Sequence, residues 1–384
     1  MPEIKIKLSA PDIGEGEIAA VNEVMRSGWL SLGPKVVEFE QAFASYLGCK
    51  HAVACNSGTS ALHMMMLTQG IGPGDEVITP SFSFIASANC IEMVGAKPVF
   101  VDIDPISLNM NPRKIADAVT ENTKAILMVH IFGLSAESAD ICDAADSFGE
   151  IPVLEDACES LGATAYGKKV GDGTSGRAAA WGFYPNKQMT TGEGGMVTTN
   201  DDDFALNIKR LRNQGRNPES TWLNHDVLGY NFRLDEMSAA MGTVQINRFD
   251  ELMAKREEVA MHYNSRLRPL KDSLILPMEL AGFTRSWFVY PLVLRQGWDR
   301  DKLFNELAEK GIQCGKYFSP PIHLQTFYKE KYGYKPGDFP ITEGISNQAI
   351  SLPFHGNLDA GEVDYVCDAI EELIKNSPDK IRQG

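Results

Sequence analysis

One lysine, Lys187, stands between an aromatic run and a glycine-rich loop in Trp181-Gly-Phe-Tyr-Pro-Asn-Lys-Gln-Met-Thr-Thr-Gly-Glu-Gly-Gly195. A lysine held away from water in such a setting can act as an imine-forming nucleophile. The alternative reading of the stretch is an exposed turn at Pro185–Asn186. A second feature is Glu155-Asp-Ala-Cys-Glu-Ser160, which follows an apolar run that reads as a buried strand. Ligands of open parallel sheets gather at the C-terminal ends of the strands. Asp156 there needs a partner for its charge, and a structural ion pair or a helix N-cap would also account for it. The third is Asn56-Ser-Gly-Thr-Ser-Ala61, between a strand-like and a helix-like segment. Gly58 permits an unusual backbone angle there. The N–H groups of Thr59 and Ser60 then point out of a helix start, which binds phosphate without a cationic side chain. An ordinary cap by Ser57 or Thr59 explains the same residues.

Taken together, the three features fit one cofactor. A phosphate turn, a carboxylate for a pyridine nitrogen and an imine-forming lysine are what pyridoxal 5'-phosphate (PLP) needs to serve as an electron sink.

Such a site must be positioned by a scaffold, and the pattern along the chain supplies one. Nearly all-apolar runs read as strands at His51–Cys55, Glu76–Pro80, Pro98–Asp102, Ala125–Ile131, Pro152–Glu155 and Met196–Thr199. Helix-period stretches at Thr59–Gln69, Ile85–Val94, Pro112–Ala118 and Glu137–Phe148 separate the first five. Apolar strands alternating with helices predict a mostly parallel central sheet flanked by helices, an α/β fold. Beyond residue 245 the texture changes. One long helix is expected over Gln245–Arg268, then a strand at Trp287–Leu294 and a helix at Arg300–Lys310. A Pro- and aromatic-rich loop at Tyr317–Tyr328 and a final helix at Ala360–Asn376 follow. Residues 1–245 therefore read as a large α/β domain with an N-terminal arm, and 246–384 as a smaller C-terminal α+β domain.

The chain of 384 residues carries 36 Lys and Arg against 51 Asp and Glu, a net charge of −15. That balance argues against a nucleic-acid or anionic-membrane partner. The longest apolar run, Ala125–Leu134, is half a membrane span and contains His130. Seven cysteines with no CxxC pair point to reduced thiols in a cytoplasmic compartment, and the first residues contain no export signal.

The residues also resemble a known family, the DegT-type PLP-dependent nucleotide-sugar aminotransferases of the fold-type I (aspartate aminotransferase) superfamily. The likeness runs through Ser27-Gly-Trp-Leu-Ser-Leu-Gly-Pro34, Asn56–Leu62, Gly72–Ser81, Gly95–Asp102, Glu155-Asp-Ala157, Asn186-Lys187 with Thr191–Met196, Gly229-Tyr-Asn-Phe-Arg-Leu234 and Pro321–Gln325. It implies that Lys187 bonds the cofactor and shuttles the proton, that Asp156 pairs with the ring nitrogen, and that Phe84 stacks on the ring. It implies a phosphate turn at Gly58 and Thr59. Asn231 is expected to reach the phosphate of a neighbouring subunit, which makes a homodimer with shared active sites. Gly182 stands where the family often has a phosphate-binding Ser, so one hydrogen bond worth about 1 kcal/mol is lost. Glu159 stands where many members have Gln or His near the cofactor's phenolic oxygen. Tyr317, His323 and Arg233 are candidate substrate contacts, each with a packing role as the alternative. Arg26, Lys35, Arg212 and Arg216 are candidates for the nucleotide diphosphate. The resemblance implies transfer of an amino group from L-glutamate to a nucleotide-linked keto sugar, with C4 of a 4-keto-6-deoxyhexose as the expected position. Amination at C3, a dehydratase that replaces the lysine by His, and a non-catalytic PLP-binding regulator are the rival readings.

Overall fold

The computed structural model describes residues 3–218, 223–278, 280–376 and 381. Its centre is a seven-stranded sheet of β1 (His51–Cys55), β2 (Glu76–Pro80), β3 (Lys97–Val101), β4 (Thr123–Val129), β5 (Val153–Asp156), β6 (Ala178–Gly182) and β7 (Gly195–Thr199). The spatial order is β1-β7-β6-β5-β4-β2-β3. Pairing is parallel from β6 across to β3, and β7 alone runs against both of its neighbours. The sheet is thus mostly parallel, as the apolar strands require, with both faces covered. One face packs on a cluster that includes Leu62, Met65, Ile91, Leu127 and Ile208. Phe39, Phe43, Trp181 and Phe183 meet edge-to-face in a second cluster, which also holds Phe249 against Tyr46.

Two helices near the N-terminus, Glu15–Ser27 and Pro34–Leu47, carry no expectation above. They pack on the helix Glu236–Asn247. Another core gathers Val259, Tyr263, Leu292, Leu303, Ile350, Val366 and Ile370 around a three-stranded antiparallel sheet. Ile6 belongs to this core and bridges to Ile312, so the first described residues pack with the C-terminal part of the chain.

The long helix expected over Gln245–Arg268 is present as Phe249–Leu267, but Gln245–Asn247 belong to a separate helix before it, Glu236–Asn247. Arg248 breaks the run with φ −110° and ψ 20°. Its guanidinium is drawn to Glu17 (2.7 Å) and to Asp12 (3.0 Å). Charge pairing across to the N-terminal segment outweighs one more turn of regular helix. No helix among the described residues is long and apolar enough to cross a membrane.

Candidate active site

The sheet brings the three chemical features to one edge. Cys55 at the end of β1 lies opposite Gly195, and Gly195 lies opposite Gly182 at the end of β6. β5 runs parallel to β6 and ends at Asp156. The helix start after β1, the loop after β6 and the carboxylate of β5 therefore face a common cleft of about 460 Å³. Gly58, Thr59, Phe84, Asp156, Glu159, Gly182, Lys187 and Tyr317 all line it.

Ser57 caps the helix Gly58–Thr68, its Oγ accepting the Ser60 N–H at 3.1 Å. The ordinary-cap reading is therefore right for Ser57, and Ser60 N–H is not free. The donors left at the helix start are those of Gly58 and Thr59. Gly58 is not there for an unusual angle, because its φ is not positive. It is there for space: a Cβ would lie 2.9 Å from Cys158 Sγ and 3.1 Å from Gly182 Cα. The two glycines let β6 and the helix start approach until their main chains form one concave surface.

No cation pairs with Asp156 among the described residues. Ser87 Oγ donates to Asp156 Oδ2 at 2.7 Å, and Cys158 N–H donates to Oδ1 at 3.2 Å. Ser83 and Ser87 hydroxyls are themselves 2.8 Å apart. Hydrogen bonds to a carboxylate stabilise its charge as an ion pair would, without a competing positive group in the cleft.

The loop that carries Lys187 is closed at its base by Phe183 N–H to Gly194 O (2.9 Å) and Thr191 N–H to Phe183 O (3.1 Å). Lys187 Nζ lies 3.7 Å from Glu159 Oε1 and 4.1 Å from the centre of the Phe288 ring. Glu159 is buried, and its other oxygen accepts the Phe132 N–H at 3.0 Å. Burial pushes the Glu159 carboxyl above the usual carboxylate range, with Lys187 pulling the other way. A glutamate facing a phenolic oxygen needs such a proton.

Tyr317 lies in the cleft, and burial raises its phenol. Phe84 is 59% exposed, a ring open to the cleft. The remaining expected residues lie elsewhere. Asn231 is exposed, and Arg233 donates to Asn213 Oδ1 at 2.9 Å outside the cleft. His323 is enclosed, with Nδ1 2.6 Å from Ser81 Oγ and Nε2 3.2 Å from Glu343 Oε1. That is a satisfied internal histidine that ties the Pro321–Gln325 segment to the end of β2. Arg26, Lys35, Arg212 and Arg216 do not line the cleft, and Lys187 is the one cation that does among the described residues. Ser83, Ser87 and Phe288 escaped the reading of the sequence, and Asn186 entered it only as part of a turn and of the family motif. The Ser83–Ser87 spacing of one helical turn is a usable signal; Phe288 sends none.

The cleft fits PLP on its own geometry. It offers a cradle that a Cβ at Gly58 would fill, a hydrogen-bonded carboxylate, a lysine amine, and the buried Asn186 Oδ1 with no partner. Residues 11–371 match the DegT/DnrJ/EryC1/StrS aminotransferase family. The chain belongs to this family. GDP-perosamine synthase of Caulobacter vibrioides is 38% identical, over 96% of this chain and 98% of that protein. The solved structure of S. venezuelae DesV is 34% identical with a TM-score of 0.88, covering 94% of each chain. The solved PLP form of Spr1654 from Streptococcus pneumoniae is 27% identical with a TM-score of 0.89, over 97% of this chain and 99% of that one. The protein is a PLP-dependent sugar aminotransferase.

Proposed function

We propose that the protein transfers the amino group of L-glutamate to C4 of a nucleotide-linked 4-keto-6-deoxyhexose, making an amino sugar for polysaccharide, O-antigen or glycan synthesis. The observation that carries this reading is one cleft in which Lys187, Glu159 and Asp156 converge on a glycine cradle. The 38% identity to GDP-perosamine synthase supports a nucleotide-linked sugar as substrate; C4 is the position that the family resemblance around Asn186–Gly195 implies. Lys187 is present, whereas a dehydratase of this kind carries His there; a C3 aminotransferase is the remaining rival.

Gly58 and Thr59 N–H would hold the phosphate, Phe84 the ring face and Asp156 the ring nitrogen. Bound PLP supplies an electron sink for the carbon that loses its proton. Lys187 Nζ, once free, would take that proton from the donor carbon and pass it to the cofactor, and in the second half would move a proton from the cofactor to the sugar carbon. Glu159, 3.7 Å from Nζ and raised by burial, can hold a proton beside the amine. Phe288 covers the other side of Nζ and limits water there. Asn231 is exposed, which suits a role in the cleft of a second copy in a cytoplasmic homodimer. The purified protein should be yellow, and L-glutamate should bleach it and release 2-oxoglutarate. A yellow protein that glutamate leaves unchanged, with or without a keto sugar, refutes the reading.

A further inference from the structure

The helix Phe249–Leu267 buries Phe249, Leu252, Arg256, Val259, Ala260, Tyr263 and Leu267 on one stripe. Arg256 is the exception in that stripe, a cation where helix packing asks for an apolar residue. It is 5% exposed, and no carboxylate among the described residues bonds to it. Burial lowers its pKa to about 10, and Asp12 opposes this only through space. A buried guanidinium is costly unless its donors are used.

The donors are used on three main-chain carbonyls. Nη2 donates to Lys187 O at 2.9 Å, and Nη1 donates to Trp287 O at 3.2 Å and Phe288 O at 3.3 Å. These are the peptide of the cleft lysine and the peptide of the ring that lies 4.1 Å from its Nζ. The two segments are otherwise joined nearby through Gln188 Nε2, which donates to Ser286 O (3.2 Å) and Ser286 Oγ (3.0 Å). The planar fork reaches both peptides from two nitrogens of fixed spacing, a geometry that the single nitrogen of a lysine does not reproduce.

We propose that Arg256 is a positioning residue that fixes the main chain of Lys187 against Phe288, so that the ε-amino group meets its reacting carbon in a productive orientation. This rests on Lys187 being the reacting amine. A displacement of about 1 Å at a reacting group costs about 100-fold in rate.

The test compares wild type with Arg256→Lys and Arg256→Gln, after cooperative melting has been checked for each. In wild-type protein, borohydride reduction in the presence of PLP followed by mass mapping must first place the label on Lys187. A label elsewhere refutes the role of Lys187 and leaves Arg256 with nothing to position. With cofactor-free protein, the rate of imine formation from Lys187 Nζ and the PLP aldehyde, with loss of water, is followed by absorbance. Both variants should form the bond about 100-fold more slowly, with kcat reduced alike and KM for glutamate within about twofold of wild type. Arg256→Lys should not rescue, although it keeps the charge. Variants that melt earlier yet form the bond at the wild-type rate overturn the proposal and leave Arg256 a packing residue. If Arg256→Gln does not fold, Arg256→Lys decides; if neither folds, the role is structural and the proposal fails.

Discussion

Two neighbouring glycines should respond to substitution in opposite directions. At Gly58 a new Cβ would lie 2.9 Å from Cys158 Sγ, 3.1 Å from Gly182 Cα and 3.3 Å from Trp181 O. Two of those three atoms are main chain of β6, paired on both sides, and cannot give way. Overpacking of this kind costs about 1–3 kcal/mol, and it is relieved by pushing away the helix start, the surface proposed to hold the phosphate. Gly58→Ala should therefore weaken PLP binding roughly 5- to 150-fold. At Gly182 the nearest atoms to a Cβ are Cys158 Sγ at 3.5 Å, Gly58 Cα at 3.6 Å and Cys158 Cβ at 3.7 Å, all ordinary contacts. Gly182→Ser should fold normally and add one hydroxyl donor, worth about 1 kcal/mol, or about fivefold tighter binding. Titration of cofactor-free protein with PLP, followed by tryptophan fluorescence, measures both. Adding Cys158→Ala to Gly58→Ala should restore part of the loss, since it removes the shortest contact. Wild-type affinity in Gly58→Ala, or weakened binding in Gly182→Ser, would refute the assignment of this surface to the phosphate.

Two other substitutions follow from the geometry. Ser87→Ala removes the hydroxyl that donates to Asp156 Oδ2, a bond to a charged group worth about 1.5–3 kcal/mol; kcat should fall at least tenfold, and stability should fall by no more than that energy. His323→Gln should lower stability by about 1–3 kcal/mol by disturbing the Ser81 and Glu343 contacts, and leave KM for the sugar unchanged. His63, His323 and His355 all have pKa values depressed by burial from 6.5. Each must be neutral in the fold, and the unfolded chain binds its protons first as pH falls. Their contribution is therefore complete above about pH 6.5 and lost on acidification, so the melting temperature should decline below that pH. A melting temperature that rises between pH 6.5 and pH 5 would contradict this.

Much of the cleft is legible in sequence because its parts lie at strand ends. The apolar runs of β1 and β5 mark where chain direction changes: Gly58 follows β1 and Asp156 ends β5, whereas Lys187 follows β6, whose Ala178–Gly182 run carries no strand expectation above. What supports them is less legible. Cys158 and Gly182 determine why residue 58 must be glycine, and that contact joins segments whose spacing in sequence carries no signal. Arg248 ends a helix whose apolar periodicity continues past it, because its partners Asp12 and Glu17 lie more than 200 residues away. His323 is the reverse case. A histidine beside two prolines in an aromatic loop admits both a substrate contact and a packing role, and the packing of Ser81, Glu343 and Phe339 around it decides for the second. Arg256 could have been seen as a charge on the apolar stripe of its helix, which is the one sequence-level mark of its position.

The most direct measurement follows the nitrogen. The protein with PLP is incubated with 15N-labelled L-glutamate and a nucleotide-linked 4-keto-6-deoxyhexose, in parallel with the 3-keto isomer, and the products are read by mass spectrometry and NMR. The proposed function requires 15N bonded to C4 of the sugar, one 2-oxoglutarate released per amino sugar, and no product with Lys187→Ala. An amino group at C3, a deoxygenated sugar without 15N, or no product from either isomer would contradict it.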